Sequence, residues 1–177
     1  MGQRKQAQTL YEKVTNGYMA ELGNAHPNTL RAKEGLAVLL KQLGDYLPSG
    51  SLEQHSQYER SLALYHDVVF GYSGLFGGGH VETGRCKMNL AHLLRHLGRT
   101  AATAASGERL TAAARTMYEM VVAQREIELG EGHIDTLNSK EGEPGLATDC
   151  LPQPATPSPV EDLEGFGSGS LTLKLLK

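Results

Sequence analysis

The sequence contains no tryptophan, only two cysteines and no long apolar run. Cys86 and Cys150 lack the paired spacing of a zinc site, which favours reduced thiols in an intracellular protein. The longest apolar run, residues 36–40, is far too short to span a bilayer. The residues that follow Met1 are polar, which argues against a secretory signal. We therefore expect a soluble, cytoplasmic protein that has no membrane partner.

Strong net charge and the motifs of catalysis are missing as well. The formal net charge is −3, so the overall charge does not attract the chain to nucleic acid or acidic membranes. No Gly-x-x-x-x-Gly-Lys-Ser phosphate loop and no Gly-x-Ser-x-Gly nucleophile elbow occurs. The 177 residues suffice for one modest domain or a few repeats. These absences favour a protein that is not an enzyme and uses no cofactor.

A threefold repeat is the main feature that the sequence does contain. The motif tyrosines of its copies are Tyr11, Tyr65 and Tyr118, at intervals of 54 and 53 residues. Each copy continues with a Gly-x-x-His-x-x-Thr motif, formed by Gly23, His26 and Thr29, then Gly77, His80 and Thr83, then Gly130, His133 and Thr136. Self-similarity at a fixed period indicates a stacked repeat array, which favours binding over catalysis.

Each copy is predicted to form two helices. Between the motif tyrosine and the motif glycine the apolar residues fall at helical spacing, and a glycine just after them suits a left-handed C-cap. The second helix is predicted to start after the motif histidine, with Asn28 and Thr29 capping its first turn in the first copy. It carries a leucine stripe and is predicted to end at Gly44 in the first copy and Gly98 in the second.

Residues 10–46 resemble a tetratricopeptide repeat of the long-helix kind found in kinesin light chains and nephrocystin-like proteins. The matching residues are Leu10-Tyr11, Gly23-x-x-His26-Pro27-x-Thr29 and Gly35-Leu36-Ala37-x-Leu39-Leu40-x-x-Leu43-Gly44-x-Tyr46. With the later copies, the resemblance covers about residues 5–142. It implies an all-α fold, a short right-handed α-solenoid of antiparallel helix pairs. Two complete pairs, over 28–76 and 82–130, are expected between a leading half-unit and an interrupted one.

The chain departs from the family pattern in two places. Segments 47–51 and 100–107 are poor in bulky apolar residues and are predicted to be inserted loops, because each copy is about a dozen residues longer than the pattern requires. In the third copy Pro144 interrupts the second helix, which is expected to fail near Gly142. We expect helical repeats over 1–142 and a disordered, Pro/Gly-rich tail over 143–177, as in a fragment or in a protein whose array is cut short.

The histidines do not form a predicted metal site. His26, His80 and His133 recur one repeat apart, roughly 10 Å for packed helix layers, whereas zinc ligands lie about 2 Å from one ion. They are predicted to be structural histidines that hydrogen-bond between helices. His92 and His96 have helical i, i+4 spacing but lack the glutamate of a His-Glu-x-x-His site, so a surface pair is predicted.

The resemblance implies that the helix beginning at each motif threonine lines a concave ligand groove. The candidate groove residues lie off its leucine stripe and are Arg31, Glu34, Lys41, Arg85, Asn89, His92, Arg95 and His96. Asn89 matches the asparagine with which the family grips a ligand's backbone, although Gly35 and Gly142 stand at the equivalent places.

The charge of this strip suggests the chemistry of a ligand. Its four arginine and lysine residues face only one carboxylate, which favours an acidic or carboxylate-bearing peptide. The alternative is an ordinary solvated helix face. Nucleic acid fits less well because no aromatic residues are interleaved with the basic ones.

Two functional interpretations follow. The first is a non-catalytic scaffold that binds a protein or peptide segment in the concave groove. The alternative is a structural or oligomerisation element, in which the exposed end of the repeat stack self-associates weakly or joins further repeats of a larger assembly. An enzyme would need a catalytic domain outside this sequence.

Overall fold

The computed structural model describes residues 2–141, which contain six α-helices and no strand. The helices are α1 (Gly2–Leu22), α2 (Pro27–Tyr46), α3 (Leu52–Phe76), α4 (Val81–Thr100), α5 (Ala104–Leu129) and α6 (Ile134–Glu141). The predicted all-α class is confirmed for this part of the chain. The interruption expected after Gly142 and the tail expected over 143–177 lie outside the described residues, as does Cys150.

Helices that follow one another in the chain pack as antiparallel neighbours. In the pair α2–α3, Leu30 near the start of α2 contacts Gly71 near the end of α3. Further along, the Ser61 hydroxyl donates a hydrogen bond of 2.7 Å to the carbonyl of Ala37. The contacts therefore run in opposite directions along the two helices. The expected pairs over 28–76 and 82–130 correspond to α2–α3 and α4–α5.

Ion pairs link α1 with α3 and α2 with α4. Arg60 of α3 donates to Glu12 of α1 at 2.6 Å, and Arg85 of α4 binds Glu34 of α2. The odd-numbered helices α1 and α3 thus lie side by side, as do the even-numbered helices α2 and α4. This arrangement places α2 and α4 on a common face, which carries the candidate residues.

The largest core cluster lies where α2, α3, α4 and α5 meet. The predicted leucine stripe of α4 is buried there, and Ala37 and Ala91 are fully buried. A smaller cluster unites Leu30, Val68 and Tyr72 with the free thiol of Cys86. Burial raises the pKa of that thiol, with the charge of Glu34 acting in the same direction.

The motif glycines end the odd-numbered helices as predicted. Gly23, Gly77 and Gly130 have φ values of 85°, 91° and 90°. This left-handed region is accessible to glycine without the steric cost that a Cβ carries. The chain therefore turns at the same point of each repeat.

The N-caps differ from the prediction, because the histidines themselves cap the even-numbered helices. His26 Nδ1 accepts a hydrogen bond of 3.2 Å from the amide of Asn28. In the same way, His80 accepts from the amide of Glu82 and His133 from the amide of Asp135. They bond within their own turns, so the prediction of a bond between helices was wrong. Thr29 does not cap α2. Its hydroxyl donates to the carbonyl of Tyr18 in α1 at 3.2 Å.

Of the two predicted inserted loops, the first is confirmed, because residues 47–51 connect α2 and α3, and the further extra residues form the first turns of α3. The second loop, 100–107, was predicted wrongly over most of its length. Only residues 101–103 connect α4 and α5, because Thr100 ends α4 and α5 begins at Ala104. The hydroxyls of Ser51 and Thr103 accept bonds from backbone amides of the new first turns. Alanine has little bulk but is the best helix former, which explains the error.

Gly44 and Gly98 do not end their helices, which continue to Tyr46 and Thr100. These glycines lie at helix crossings instead. A Cβ on Gly44 would lie 2.6 Å from the ring of Tyr58, and one on Gly98 would lie 2.9 Å from the carbonyl oxygen of Gly107. Glycine is therefore required at these positions for close approach of the next helix.

Candidate functional site

The eight candidate groove residues lie on α2 and α4 and fall into two groups along them. The first group, near the start of the helices, contains Arg31, Glu34, Arg85 and Asn89. The second group, near the end, contains Lys41, His92, Arg95 and His96. The first group surrounds a buried carboxylate, whereas the second lines a cleft.

The first group is organised around the buried carboxylate of Glu34. Its side chain is only 6% exposed. Arg85 binds both of its oxygens, with Nη2 at 2.8 Å from Oε2, and Asn89 Nδ2 donates to Oε1 at 3.1 Å. The amide donor that the resemblance assigns to a ligand's backbone therefore serves an internal bond in this structure.

Arg85 also binds the carboxylate of Glu82, with Nε at 3.1 Å from Oε2. That hydrogen bond is the main cause of a lowered pKa at Glu82, and the charge of nearby Arg31 acts in the same direction. Arg85 thus bridges two carboxylates. Together with Glu82, the first group contains two cations and two carboxylates and is best described as a link between α2 and α4.

The second group lines a cleft of about 650 Å³. We call it the basic cleft, and its lining residues are Lys41, His92, Arg95, His96, Arg99 and Thr100. All four predicted residues of the group are brought together here. Arg99 and Thr100 were missed, because α4 was predicted to end at Gly98. Had the helix been extended, Arg99 would have stood one turn beyond Arg95 on the same face.

Two tyrosines from the odd-numbered helices position the histidines of the cleft. The hydroxyl of Tyr118 lies 2.7 Å from His92 Nδ1, and that of Tyr58 lies 3.0 Å from His96 Nε2. Tyr58 also donates to Asp45 at 3.0 Å, so His96 must donate its Nε2 hydrogen to the tyrosine oxygen. The imidazoles therefore have fixed orientations, although neither lies deep in the core.

Both histidines of the cleft favour the neutral form. Burial is the main cause of the lowered pKa at His92, and the charges of Arg95 and Lys41 add to it. The pKa of His96 is lowered by burial and by Lys41 and Arg99, against the opposing effect of Asp45. Cations that surround a histidine oppose its protonation. The lowered pKa values therefore reflect burial first, and the positive potential of the cleft's cations adds to it.

One carboxylate moderates that potential. Asp45 lies 2.7 Å from Lys41 Nζ, and its other oxygen accepts the Tyr58 hydroxyl. The strip is therefore less lopsided than the sequence suggested, since Glu34, Glu82 and Asp45 all face its cations. The cations Arg95 and Arg99 lie next to the two histidines in the cleft.

The described part of the chain shows no site for a metal ion, since no three His, Cys, Asp or Glu side chains converge within it. Between residues 2 and 141, no helix combines the length and the apolarity needed to cross a membrane. No model of a known protein family matches the chain. No curated protein matches it either.

Proposed function

We propose that this chain is a short, right-handed tetratricopeptide-like solenoid that acts as a non-catalytic scaffold and binds an acidic peptide segment in the basic cleft. The repeated helix pairs, the glycine C-caps and the shared face of α2 and α4 support the solenoid. The basic cleft supports the choice of ligand. No turnover is expected in a hydrolase or nucleotide-consumption screen.

One observation carries the proposal, which is the convergence of Lys41, Arg95 and Arg99 on a single cleft. Its volume of about 650 Å³ falls in the usual range for ligand sites. Guanidinium groups suit carboxylates because they can donate two parallel hydrogen bonds. A glutamate or aspartate side chain of a peptide would therefore find charge and donors together.

A purely structural role for these cations is the main alternative. Arg99 lies in the last turn of α4, where a positive side chain interacts favourably with the helix dipole, by about 0.3–1 kcal/mol. This role requires no ligand. It predicts that charge reversal lowers stability and leaves peptide binding unaffected.

The two roles are separated by charge reversal in the cleft. We would screen a library of acidic peptides by fluorescence polarisation and compare the wild-type chain with the Arg95→Glu and Arg99→Glu variants. Each reversal should weaken binding by about tenfold at low salt, and added salt should reduce the difference. Lys5→Glu is a matched control, since Lys5 is 71% exposed on α1, outside the cleft.

Unchanged affinity in both variants, with folding verified by circular dichroism, would refute the proposal. An equal loss in the Lys5→Glu control would show general charge attraction and would also count against a specific cleft. Arg85 is a poor choice for this test. Its reversal would leave the buried Glu34 carboxylate unpaired, which costs stability whether or not the cleft binds a ligand.

A further inference from the structure

The helix α1 presents an apolar face that its counterparts bury. Val14 is 43% exposed and Tyr18 is 37% exposed. The equivalent residues of α3 are Val68 and Tyr72, three and seven residues after the motif tyrosine, and they are 0% and 3% exposed. The difference arises because α3 packs against α2 on this side, whereas no helix among residues 2–141 covers the same side of α1. The face of α1 is therefore shaped for a helix that resembles α2.

A pair of equivalent glycines shows where that helix would sit. Gly17 and Gly71 both lie six residues after the motif tyrosine, inside α1 and α3. At Gly71 a Cβ would lie 2.5 Å from Leu30, so the glycine makes room for a leucine of α2. At Gly17 nothing lies within 4 Å. A mid-helix glycine costs about 1 kcal/mol relative to alanine, and no neighbour within the described residues accounts for it at Gly17.

The leucine that would fit Gly17 lies at the opposite end of the repeat stack. Leu30 and Leu137 both follow a motif threonine, in α2 and α6 respectively. Leu30 is 1% exposed, whereas Leu137 is 42% exposed. The α6 end thus presents the protruding residue, and the α1 end presents the matching gap.

The middle pair of helices supports this matching of large and small residues. In α4 the residue after the motif threonine is Gly84, which faces Val121 of α5. In α5 the place of Gly71 is taken by Gln124. The α4 helix thus has a glycine where α2 has a leucine, and α5 has a glutamine where α3 has a glycine. Leu137 and Gly17 have the large–small combination of α2 and α3, so they complement each other.

We propose that the α6 end of one molecule docks on the α1 end of a second copy, with Leu137 seated over Gly17 as Leu30 is over Gly71. The contact is heterologous, because the two molecules use different surfaces, so each chain keeps one free end and can add a further copy. It does not involve the basic cleft and holds whether or not that cleft binds a peptide.

One interaction of α2–α3 is not reproduced between copies. Lys33 binds Asp67 at 2.9 Å, but the residues at the same places of α6 and α1 are Lys140 and Lys13. Repulsion between these like charges weakens the contact at low salt. Added salt screens the repulsion, so the contact should be stronger at high salt. Replacing Lys13 by Asp recreates the opposite charges of Lys33 and Asp67. The Lys13→Asp variant should therefore associate more tightly than the wild-type chain.

The test is sedimentation velocity of the full chain over a range of concentrations. The wild-type chain should show concentration-dependent association. Gly17→Gln introduces into α1 the residue that α5 has at this place, Gln124. This substitution should weaken the association on the order of tenfold, as expected when one leucine loses its packing site. Gly74→Gln is the matched control, since Gly74 is an exposed α3 glycine that also has nothing within 4 Å.

A mixing experiment tests the head-to-tail geometry. Gly17→Gln weakens only the α1 end and Leu137→Asp weakens only the α6 end. At a concentration where each variant alone is monomeric, their mixture should therefore form a dimer and nothing larger. A wild-type chain that remains monomeric at every concentration would overturn the proposal. So would a Gly17→Gln variant that associates like the Gly74→Gln control, or a mixture without dimers, provided circular dichroism shows all chains folded.

Discussion

Replacing Gly98 by alanine tests the conclusion that this glycine is required by the crossing of α4 and α5. A Cβ at this position would lie 2.9 Å from the carbonyl oxygen of Gly107 and 3.2 Å from the amide nitrogen of Thr111. Both are backbone atoms of α5, so the clash cannot be relieved by rotating a side chain. Overpacking of this kind costs about 1–3 kcal/mol.

The intrinsic preference of alanine for helix acts in the opposite direction. It favours the variant by up to about 1 kcal/mol, so the net loss expected at Gly98 is between about 0 and 2 kcal/mol. Gly74→Ala is the matched control, because Gly74 lies in the last turn of α3, as Gly98 does in α4, and a Cβ there meets open space. That variant has the helix preference without the clash and should gain up to about 1 kcal/mol. Because the helix preference is common to both variants, their free energies of unfolding should differ by the cost of overpacking, about 1–3 kcal/mol.

Urea unfolding followed by far-UV circular dichroism measures this difference. The midpoints should separate while the slopes stay equal, since neither variant changes the surface exposed on unfolding. In thermal unfolding the same difference corresponds to roughly 2–12 °C for a domain of this size. A Gly98→Ala variant as stable as Gly74→Ala would show that α4 and α5 do not approach so closely, and the argument from glycine at the crossings would fail.

Two further predictions concern the histidines. His26→Ala should cost about 1 kcal/mol of stability in urea, because it removes the N-cap of α2, whereas His26→Asn should retain most of it; equal losses would contradict capping. The pKa values of His66, His92 and His96 are lower in the folded protein than in the unfolded chain. As the pH drops through about 6.5, the unfolded chain therefore binds protons that the folded protein does not. The free energy of unfolding should fall over this range and level off below the folded pKa values. A urea midpoint that stays constant or rises over this range would contradict the shifts.

Much of the fold follows from local patterns in the sequence. The helical spacing of apolar residues predicts the helices, and the motif glycines predict where α1, α3 and α5 end. A positive φ at these glycines is a backbone preference of the residue itself and needs no contact with another helix. Four of the candidate residues meet in one cleft. The i, i+3 and i+4 spacing of His92, Arg95 and His96 fixes a common helix face before any packing is known, whereas Lys41 reaches the cleft from α2.

The errors came from residues whose role depends on a neighbouring helix. Gly44 and Gly98 have the sequence context of a C-cap, and only the ring of Tyr58 and the backbone of Gly107 show that they lie at crossings. Arg99 was missed for the same reason. Arg85 looked like a free groove cation until α2 brought the Glu34 carboxylate against it.

The sequence by itself determined the repeat, the helices and the positions where the chain turns, because these depend on spacing and on the backbone preferences of single residues. The tertiary structure alone decided which charges are satisfied, which glycines face a neighbour and which end of the stack offers a leucine. These properties depend on distances between residues far apart in the chain, such as Glu34 and Arg85, or Leu30 and Gly71.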